Sequence, residues 1–300
     1  AEKLLGYPIE VISGREEARL IYSGVVNLLP QSEEKRLVVD IGGRSTELIL
    51  GKGFKPQTME SYRVGSVKWS MKYFADGQFT PMAFEWAEVA AKAVLDEAIA
   101  LYPKNCWDVA YGSSGTIGAV ADVLQAAGWP EGVISREGLD WLKEKLIKAG
   151  RGDALRLEGI KEDRKPVIGG GLAVLCALFD LMQISSMQAA QGALRHGVLY
   201  DLLQREDNTD LRSTMVAALG NRFAVDVAQA ERVQKTAISL FKSILDKESV
   251  EPDRAIRHEK KLSWAAHLLE IGTRISHSDF HKHGAYILDN ADLPGFSMSE

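Results

Sequence analysis

Three short clusters of acids, glycines and hydroxyl residues are spaced for phosphate chemistry. The first is Leu37-Val38-Val39-Asp40-Ile41-Gly42-Gly43-Arg44-Ser45-Thr46-Glu47-Leu48, continued by Ile49-Leu50. Apolar runs on both sides of a polar, glycine-rich tip predict a β-hairpin. Glycines let backbone N–H groups approach an anion closely, and hydroxyls add donors. Asp40 and Glu47 at the shoulders could hold a hard cation through oxygen ligands. The same pattern fits an ordinary hairpin with a solvated turn. It is not a Walker loop, which needs Gly-Lys-Ser/Thr opening a helix. Nor is it a dinucleotide fingerprint, because strand rather than helix follows. The second cluster, Gly112-Ser113-Ser114-Gly115-Thr116, follows a short apolar strand and precedes a helix expected from Ile117 to Ala127, closed by Gly128. Helix amino termini favour anions, and a plain capped turn would look the same. In the third, Ser13-Gly14-Arg15-Glu16 fits a capping box. That box occupies Glu16 and leaves Glu17 at a helix start. Glu17 is then a candidate base for activating water, or with Glu16 a complement to the helix dipole.

The elements that must position these residues can be traced along the chain. Strands are expected over Ile9–Ile12, on both arms of the Leu37–Leu50 hairpin, over Gln57–Val64 and over Trp107–Tyr111. Thr80 reads as an N-cap with Pro81 at the first helical position. The Ala-rich pattern from Met82 to Leu101 then predicts one long amphipathic helix. Ser135 caps a helix toward Ala149, which Gly150 ends. Gly169-Gly170-Gly171 opens an apolar helix through Leu181, and Gln204–Asp210 reads as a linker. Beyond it the pattern is helical, clearest from Ala224 to Leu245.

Composition bounds the class. The 300 residues are 46% hydrophobic and 26% charged, which suits globular domains with a sizeable core rather than disorder. No run is long and apolar enough to span a bilayer, and no signal-peptide pattern is visible. Cys106 and Cys176 are far apart in apolar surroundings, as buried reduced thiols of a cytoplasmic protein would be, and no zinc-type spacing occurs. The net charge of −5 disfavours indiscriminate polyanion binding, but local charge matters more. From Arg254 to His283 the chain holds Arg254, Arg257, Lys260, Lys261, Arg274 and Lys282 against Glu259, Glu270 and Asp279. It also holds His258, His267, His277, His281 and His283. This stretch could track a polyanion or be a solvated helical face. His277, His281 and His283 with Asp279 also have short, metal-like spacings.

Taken in order, several motifs resemble those of the exopolyphosphatase and guanosine pentaphosphate phosphohydrolase (Ppx/GppA) family. They are Ser13-Gly14-Arg15-Glu16-Glu17-Ala18-Arg19-Leu20, the Asp40–Glu47 loop, Gly112–Thr116, Gly170-Gly171-Leu172-Ala173, Gly192-Ala193-Leu194-Arg195, Ala285-Tyr286-Ile287-Leu288 and Asp292-Leu293-Pro294-Gly295-Phe296. The resemblance implies an α/β fold followed by an all-α one. The first is an actin-like/sugar-kinase-like ATPase (ribonuclease H-like) domain, and the second a helical HD-like domain. Residues 1–25 would end a first half-domain, 26–204 would form the second, and 205–300 an incomplete helical domain. The chain would thus be a fragment lacking its strand-rich start and its end. No His-Asp dipeptide occurs in Ala266–Gly272, so the helical domain would be metal-free.

The resemblance also implies roles. Glu17 would be the base. Asp40 and Glu47 would be catalytic and hold Mg2+ or another divalent cation. Gly42, Gly43, Ser45, Thr46, Gly112, Ser113, Ser114, Gly115 and Thr116 would bind phosphate. Arg44 stands where the family has a small residue; it would join the phosphate-binding residues through charge-assisted contacts or else fill the space a phosphate needs, and an outward-pointing, charge-supporting side chain is the favoured reading. Gly65-Ser66 would be a further turn lining the cleft, and the glycines opening the helix at Gly169 would either border a nucleotide base or pack closely. The implied activity is exopolyphosphatase, hydrolysing the terminal phosphate of inorganic polyphosphate, a choice supported by Ser276–His283. The alternative is hydrolysis of guanosine-5'-triphosphate,3'-diphosphate (pppGpp), supported by Tyr73-Phe74-Ala75-Asp76. A non-catalytic sensor of either polyanion and a small-molecule kinase are readings of other classes. A homodimer, no nucleic-acid partner and a cytoplasmic location, with peripheral membrane association left open, complete the expectation.

Overall fold

The computed structural model describes residues 11–30, 32–204, 211–245 and 252–291, with Gly6, Ile9, Leu293, Gly295 and Phe296. Glu10, Asp292, Pro294 and all of the expected linker except Gln204 lie outside the described residues. Two compact units divide the chain: one is Glu17–Glu206, and the other joins Ala1–Glu16 to Asp207–Glu300.

The larger unit is built on a six-stranded mixed sheet. Helix α1 (Gly14–Val26) precedes β1 (Lys35–Ile41), β2 (Thr46–Lys52) and β3 (Lys55–Tyr62). Then come α2 (Ser66–Tyr73), α3 (Pro81–Leu95), α4 (Ala98–Leu101), β4 (Val109–Ser113), α5 (Gly115–Ala126) and β5 (Val133–Ser135). Helices α6 (Arg136–Ala149) and α7 (Ile168–Leu181), strand β6 (Ser186–Ala189) and α8 (Leu194–Gln204) complete it. The strand order is β3-β2-β1-β4-β6-β5. The β1–β2, β2–β3 and β5–β6 pairs are antiparallel, and β1–β4 and β4–β6 are parallel.

Both faces of the sheet are covered, which is why β1 and β2 are buried almost throughout rather than alternately. Alternation still decides which neighbour each residue meets. Val38, Ile49 and Tyr111 pack with Ala18, Ile21, Tyr22 and Val25 of α1. Leu37, Val39, Ile41, Leu48 and Leu50 face the larger core around α7, whose residues from Ile168 to Phe179 are all buried. The glycines of α7 serve close packing. A Cβ on Gly170 would lie 2.4 Å from the Ser70 nitrogen, and one on Gly171 would lie 2.5 Å from the Thr116 methyl.

The hairpin and most caps fall where the sequence predicts them. Gly128 (φ 96°) and Gly150 (φ 73°) adopt the left-handed backbone that glycine tolerates at helix ends. Thr80 accepts from the Ala83 N–H at 3.1 Å, and Thr80→Ala is expected to cost about 1 kcal/mol of stability in a denaturant titration. The expected long helix over 82–101 is interrupted by a turn at Asp96–Glu97. The turn lets Leu95, Ala98 and Tyr102 all become fully buried, and the Tyr102 hydroxyl donates to the Leu48 carbonyl at 2.8 Å. Cys176 is buried and Cys106 half-buried, both as free thiols.

The second unit contains α9 (Leu211–Arg222), α10 (Val227–Leu245), α11 (Pro252–His267) and α12 (Phe280–Asn290). Its small core includes Val216, Leu219, Trp264, Leu268, Ile271 and Ile287. The helix expected from Ala224 begins three residues later, because Ala224 is left-handed (φ 44°) and Asp226 caps the Gln229 N–H at 3.0 Å. Among the described residues no helix is long and apolar enough to cross a membrane.

Candidate active site

The β1–β2 register pairs Asp40 with Glu47. Directly opposite residues in an antiparallel pair point to the same face, so the two carboxylates stand side by side. The row continues outward in both directions, because Ser61 on β3 pairs with Glu47 and Ser113 on β4 pairs with Asp40. Asp40 and Glu47 share the parity of Val38 and Ile49, so they lie on the face that α1 covers. Glu17, in the first turn of α1, is close enough to both to perturb their ionisation.

The three carboxyl groups make an electrostatically unfavourable cluster. Asp40 is 8% and Glu47 1% exposed. Burial, then repulsion from Glu17, pushes Asp40 up to about 6 despite a hydrogen bond with Ser113. Burial pushes Glu47 up to about 7, with repulsion from Glu17 and Asp40 added and the Ser61 and Ser45 hydroxyls opposing. Ser61 donates to Glu47 at 2.7 Å. Burial also raises Glu17. The Ser113 hydroxyl has one proton for two acceptors, since it also lies 3.0 Å from the Gly192 carbonyl. Among the described residues nothing cationic contributes to the ionisation of Asp40 or Glu47.

A buried, uncompensated pair of carboxylates fits a hard divalent cation. Among the described residues no three His, Cys, Asp or Glu side chains are placed to hold a metal by themselves. Asp40 and Glu47 would supply one or two oxygens to such a cation, with water or substrate phosphate supplying the rest.

The hairpin tip is fastened from behind by α2. Its Gly42 N–H donates to the Ser45 carbonyl at 2.9 Å, while the Gly42 carbonyl accepts from the N–H and hydroxyl of Ser66 at 2.9 and 3.1 Å. The Gly43 carbonyl accepts from the Lys68 N–H at 3.0 Å. Gly65 makes this approach possible, since a Cβ there would lie 2.6 Å from the Arg44 nitrogen. The Gly65-Ser66 turn thus spends its helix-start donors on the tip rather than on the cleft. Among the described residues the N–H groups of Gly43, Arg44 and Ser45 have no protein acceptor, so they are what the tip can offer an anion. Arg44 itself is exposed, and Gly42 and Ser45 are half-buried.

Thr46 is the correction in this loop. It is fully buried, and its hydroxyl donates to the Val64 carbonyl at 2.6 Å. Alternation that brings Glu47 to the acidic face turns Thr46 to the other.

The second loop divides similarly. Gly112 is walled in, a Cβ there meeting the Met187 sulfur at 2.6 Å and the Ile117 side chain at 2.7 Å. Ser113 is occupied as described, and Thr116 donates to the Ile41 carbonyl at 3.1 Å, tying this loop to β1. Ser114 caps α5 in a strained left-handed-side backbone (φ 103°). Gly115 is exposed and opens α5. Against it lies Arg164, whose guanidinium would be 2.6 Å from a Cβ at Gly115. A cavity of about 170 Å³ beside this helix start is lined by Gly115, Gly118, Asp122, Gly159, Lys161 and Arg164 among others. The charge run Lys161-Glu162-Asp163-Arg164-Lys165 reads as a solvated loop, and no local signal in it indicates a phosphate loop 49 positions earlier.

Comparison with known proteins identifies the family. The model of the Ppx/GppA phosphatase family matches residues 1–206, and that of Ppx/GppA phosphatase domain III matches residues 211–300. A guanosine-5'-triphosphate,3'-diphosphate pyrophosphatase from Pseudoalteromonas translucida is 39% identical over 300 residues, covering all of this chain. The chain spans 59% of that relative's length. Among solved structures, an exopolyphosphatase-like protein is 25% identical with a TM-score of 0.60, over 68% of this chain and 71% of its own. A Ppx/GppA family member from Aquifex aeolicus is 23% identical with a TM-score of 0.57, over 69% and 68% respectively. These likenesses accord with the expected architecture, an α/β actin-like ATPase fold followed by an all-α domain.

Proposed function

The chain belongs to the Ppx/GppA phosphatase family, and from that premise we propose that it forms part of a phosphoanhydride hydrolase acting on the terminal 5'-phosphate of pppGpp. The observation that carries the reaction class is the convergence of Glu17, Asp40 and Glu47 on one sheet face between two loops with N–H groups to offer. The choice of nucleotide over polyphosphate rests on the 39% identity, over the whole chain, with a protein named for that substrate.

In this reading Glu17 accepts a proton from a water whose oxygen attacks the terminal phosphorus. The bond from that phosphorus to the bridging oxygen breaks, and its electron pair leaves with the diphosphate. The products are inorganic phosphate and guanosine with a diphosphate at each end. Asp40 and Glu47 would hold a divalent cation, which when bound would offset charge on the phosphoryl oxygens. The N–H groups at Gly43, Arg44 and Gly115 orient the terminal phosphates and donate to the charge that develops on them. Arg44 adds positive charge at the rim, and Arg164 beside Gly115, with Lys161 in the adjoining cavity, supplies cations that a polyanionic substrate could use.

The test is phosphate release by the full-length protein with Mg2+, from pppGpp and long-chain polyphosphate side by side. At least tenfold higher kcat/KM for pppGpp is expected. A preference for polyphosphate moves the assignment to exopolyphosphatase. Tight binding without release from either makes the protein a sensor.

A further inference from the structure

The Gly192-Ala193-Leu194-Arg195 motif has no part in the chemistry above, yet it lies against the element that carries the base. Helix α8 crosses α1 at backbone contact. A Cβ on Gly197 would lie 1.7 Å from the Leu20 carbonyl oxygen and 2.5 Å from its carbon. One on Gly24 would lie 2.2 Å from the Ala193 oxygen, and one on Gly192 would lie 2.0 Å from the Gly24 oxygen. All these neighbours are backbone, so no side-chain rotation could relieve an added methyl, and one helix would have to move bodily. The seam is also latched by charge. Arg19 donates to Asp201 at 2.7 Å, with side chains only 14% and 13% exposed. Removing one member of a pair so sheltered costs more than it would at an exposed site.

The location of this seam is what gives it consequence. Arg19 and Leu20 are two and three residues beyond Glu17, within one turn of the same helix. The other side of the seam reaches Asp40, because the Gly192 carbonyl lies 3.0 Å from the Ser113 hydroxyl that pairs with that residue's strand position. One segment therefore touches both the helix that carries the base and the strand beside the cation-holding acid.

We propose that the α1–α8 crossing, closed by Gly24, Gly192 and Gly197 and latched by Arg19 and Asp201, is the positioning element that sets Glu17 against Asp40 and Glu47. This rests on the hydrolase reading of the site. These residues act through α1: they fix the helix that presents the base. A misplacement of about 1 Å can cost on the order of a hundredfold in rate.

The experiment compares wild-type full-length protein with R19Q, D201N, the R19Q/D201N double variant and G197A. It measures kcat, KM and the thermal midpoint with Mg2+ and pppGpp, and determines the crystal structure of R19Q. Each single variant should lower kcat at least tenfold with KM within about twofold, and the double should be no worse than its worse parent, as coupled residues behave. In the R19Q crystal structure the Glu17 carboxylate should shift by about 1 Å or more relative to Asp40. A loss of kcat that merely tracks the folded fraction, or independent effects of R19Q and D201N, overturns the proposal. If wild type releases phosphate from neither pppGpp nor polyphosphate, the hydrolase reading falls by itself. The R19Q structure still decides on the latch: a displaced Glu17 supports it, and an unmoved one refutes it.

Discussion

Glu17→Gln is expected to lower kcat for phosphate release by about 10²- to 10⁴-fold, the usual range for loss of a positioned general base, with KM changed by no more than a few-fold. The split follows from the division of labour in the site. Glu17 comes from α1, whereas the groups offered to phosphate come from the β1–β2 tip and the β4–α5 loop. Glutamine keeps the shape and removes only the proton acceptor. The variant has a second, opposite signature. Glu17 repels charge on Asp40 and Glu47, so its neutralisation should make both easier to ionise and should stabilise the cation-free protein at pH 8. Steady-state kinetics and a denaturant titration check the two halves. Unchanged kcat would remove Glu17 from the mechanism.

Without divalent cation, the protein is expected to lose stability as pH rises from about 5 to 8 and to recover it when Mg2+ is added. Asp40 sits near 6 against an ordinary 3.8, and Glu47 near 7 against 4.5. Between the ordinary and raised values the folded state holds protons that the unfolded state has released. Stability therefore falls with rising pH across that window and levels off above about pH 7. Each unit is worth about 1.4 kcal/mol, so the two carboxyls together account for several kcal/mol. A cation that binds only the folded protein restores about 2.7 kcal/mol at a hundred times its Kd. Asp40→Asn is nearly isosteric and removes one charge. It should flatten the pH dependence, raise cation-free stability at pH 8 and abolish most of the Mg2+ response. Urea midpoints at pH 5 and 8, with Mg2+ and with chelator, provide the measurement. The difference between wild type and D40N isolates this site from other titrating groups. A wild-type midpoint insensitive to both pH and Mg2+ would mean that the acids are not the cation site.

Features set by nearest neighbours were legible in the residues. The hairpin around Gly42-Gly43, the caps at Thr80 and Ser135, and the helix ends at Gly128 and Gly150 all depend on local geometry. Thr46 was misread although the signal was present, since strand alternation cannot send both Thr46 and Glu47 to one face. Strands β5 and β6 were missed for a different reason. Val133–Ser135 and Ser186–Ala189 are too short to show a period, and they exist because they pair with each other and, through β6, with β4. The break after Leu95 likewise answers to the core that Ala98 and Tyr102 must reach.

The candidate site divides along the same line. Residue type and spacing marked Glu17, Asp40, Glu47 and two glycine loops as candidate chemistry-bearing groups beside ordinary caps and turns, and the family resemblance, not the local pattern, supplied their roles. Only the tertiary structure decided which could act together. It placed Glu17 over the β1–β2 pair, spent the start of α2 on the hairpin tip, brought Arg164 to Gly115 and laid Gly197 on the backbone of α1. Those relations join residues tens to more than a hundred positions apart. They are set by sheet register and by how closely two helices can approach, which no local stretch of sequence encodes.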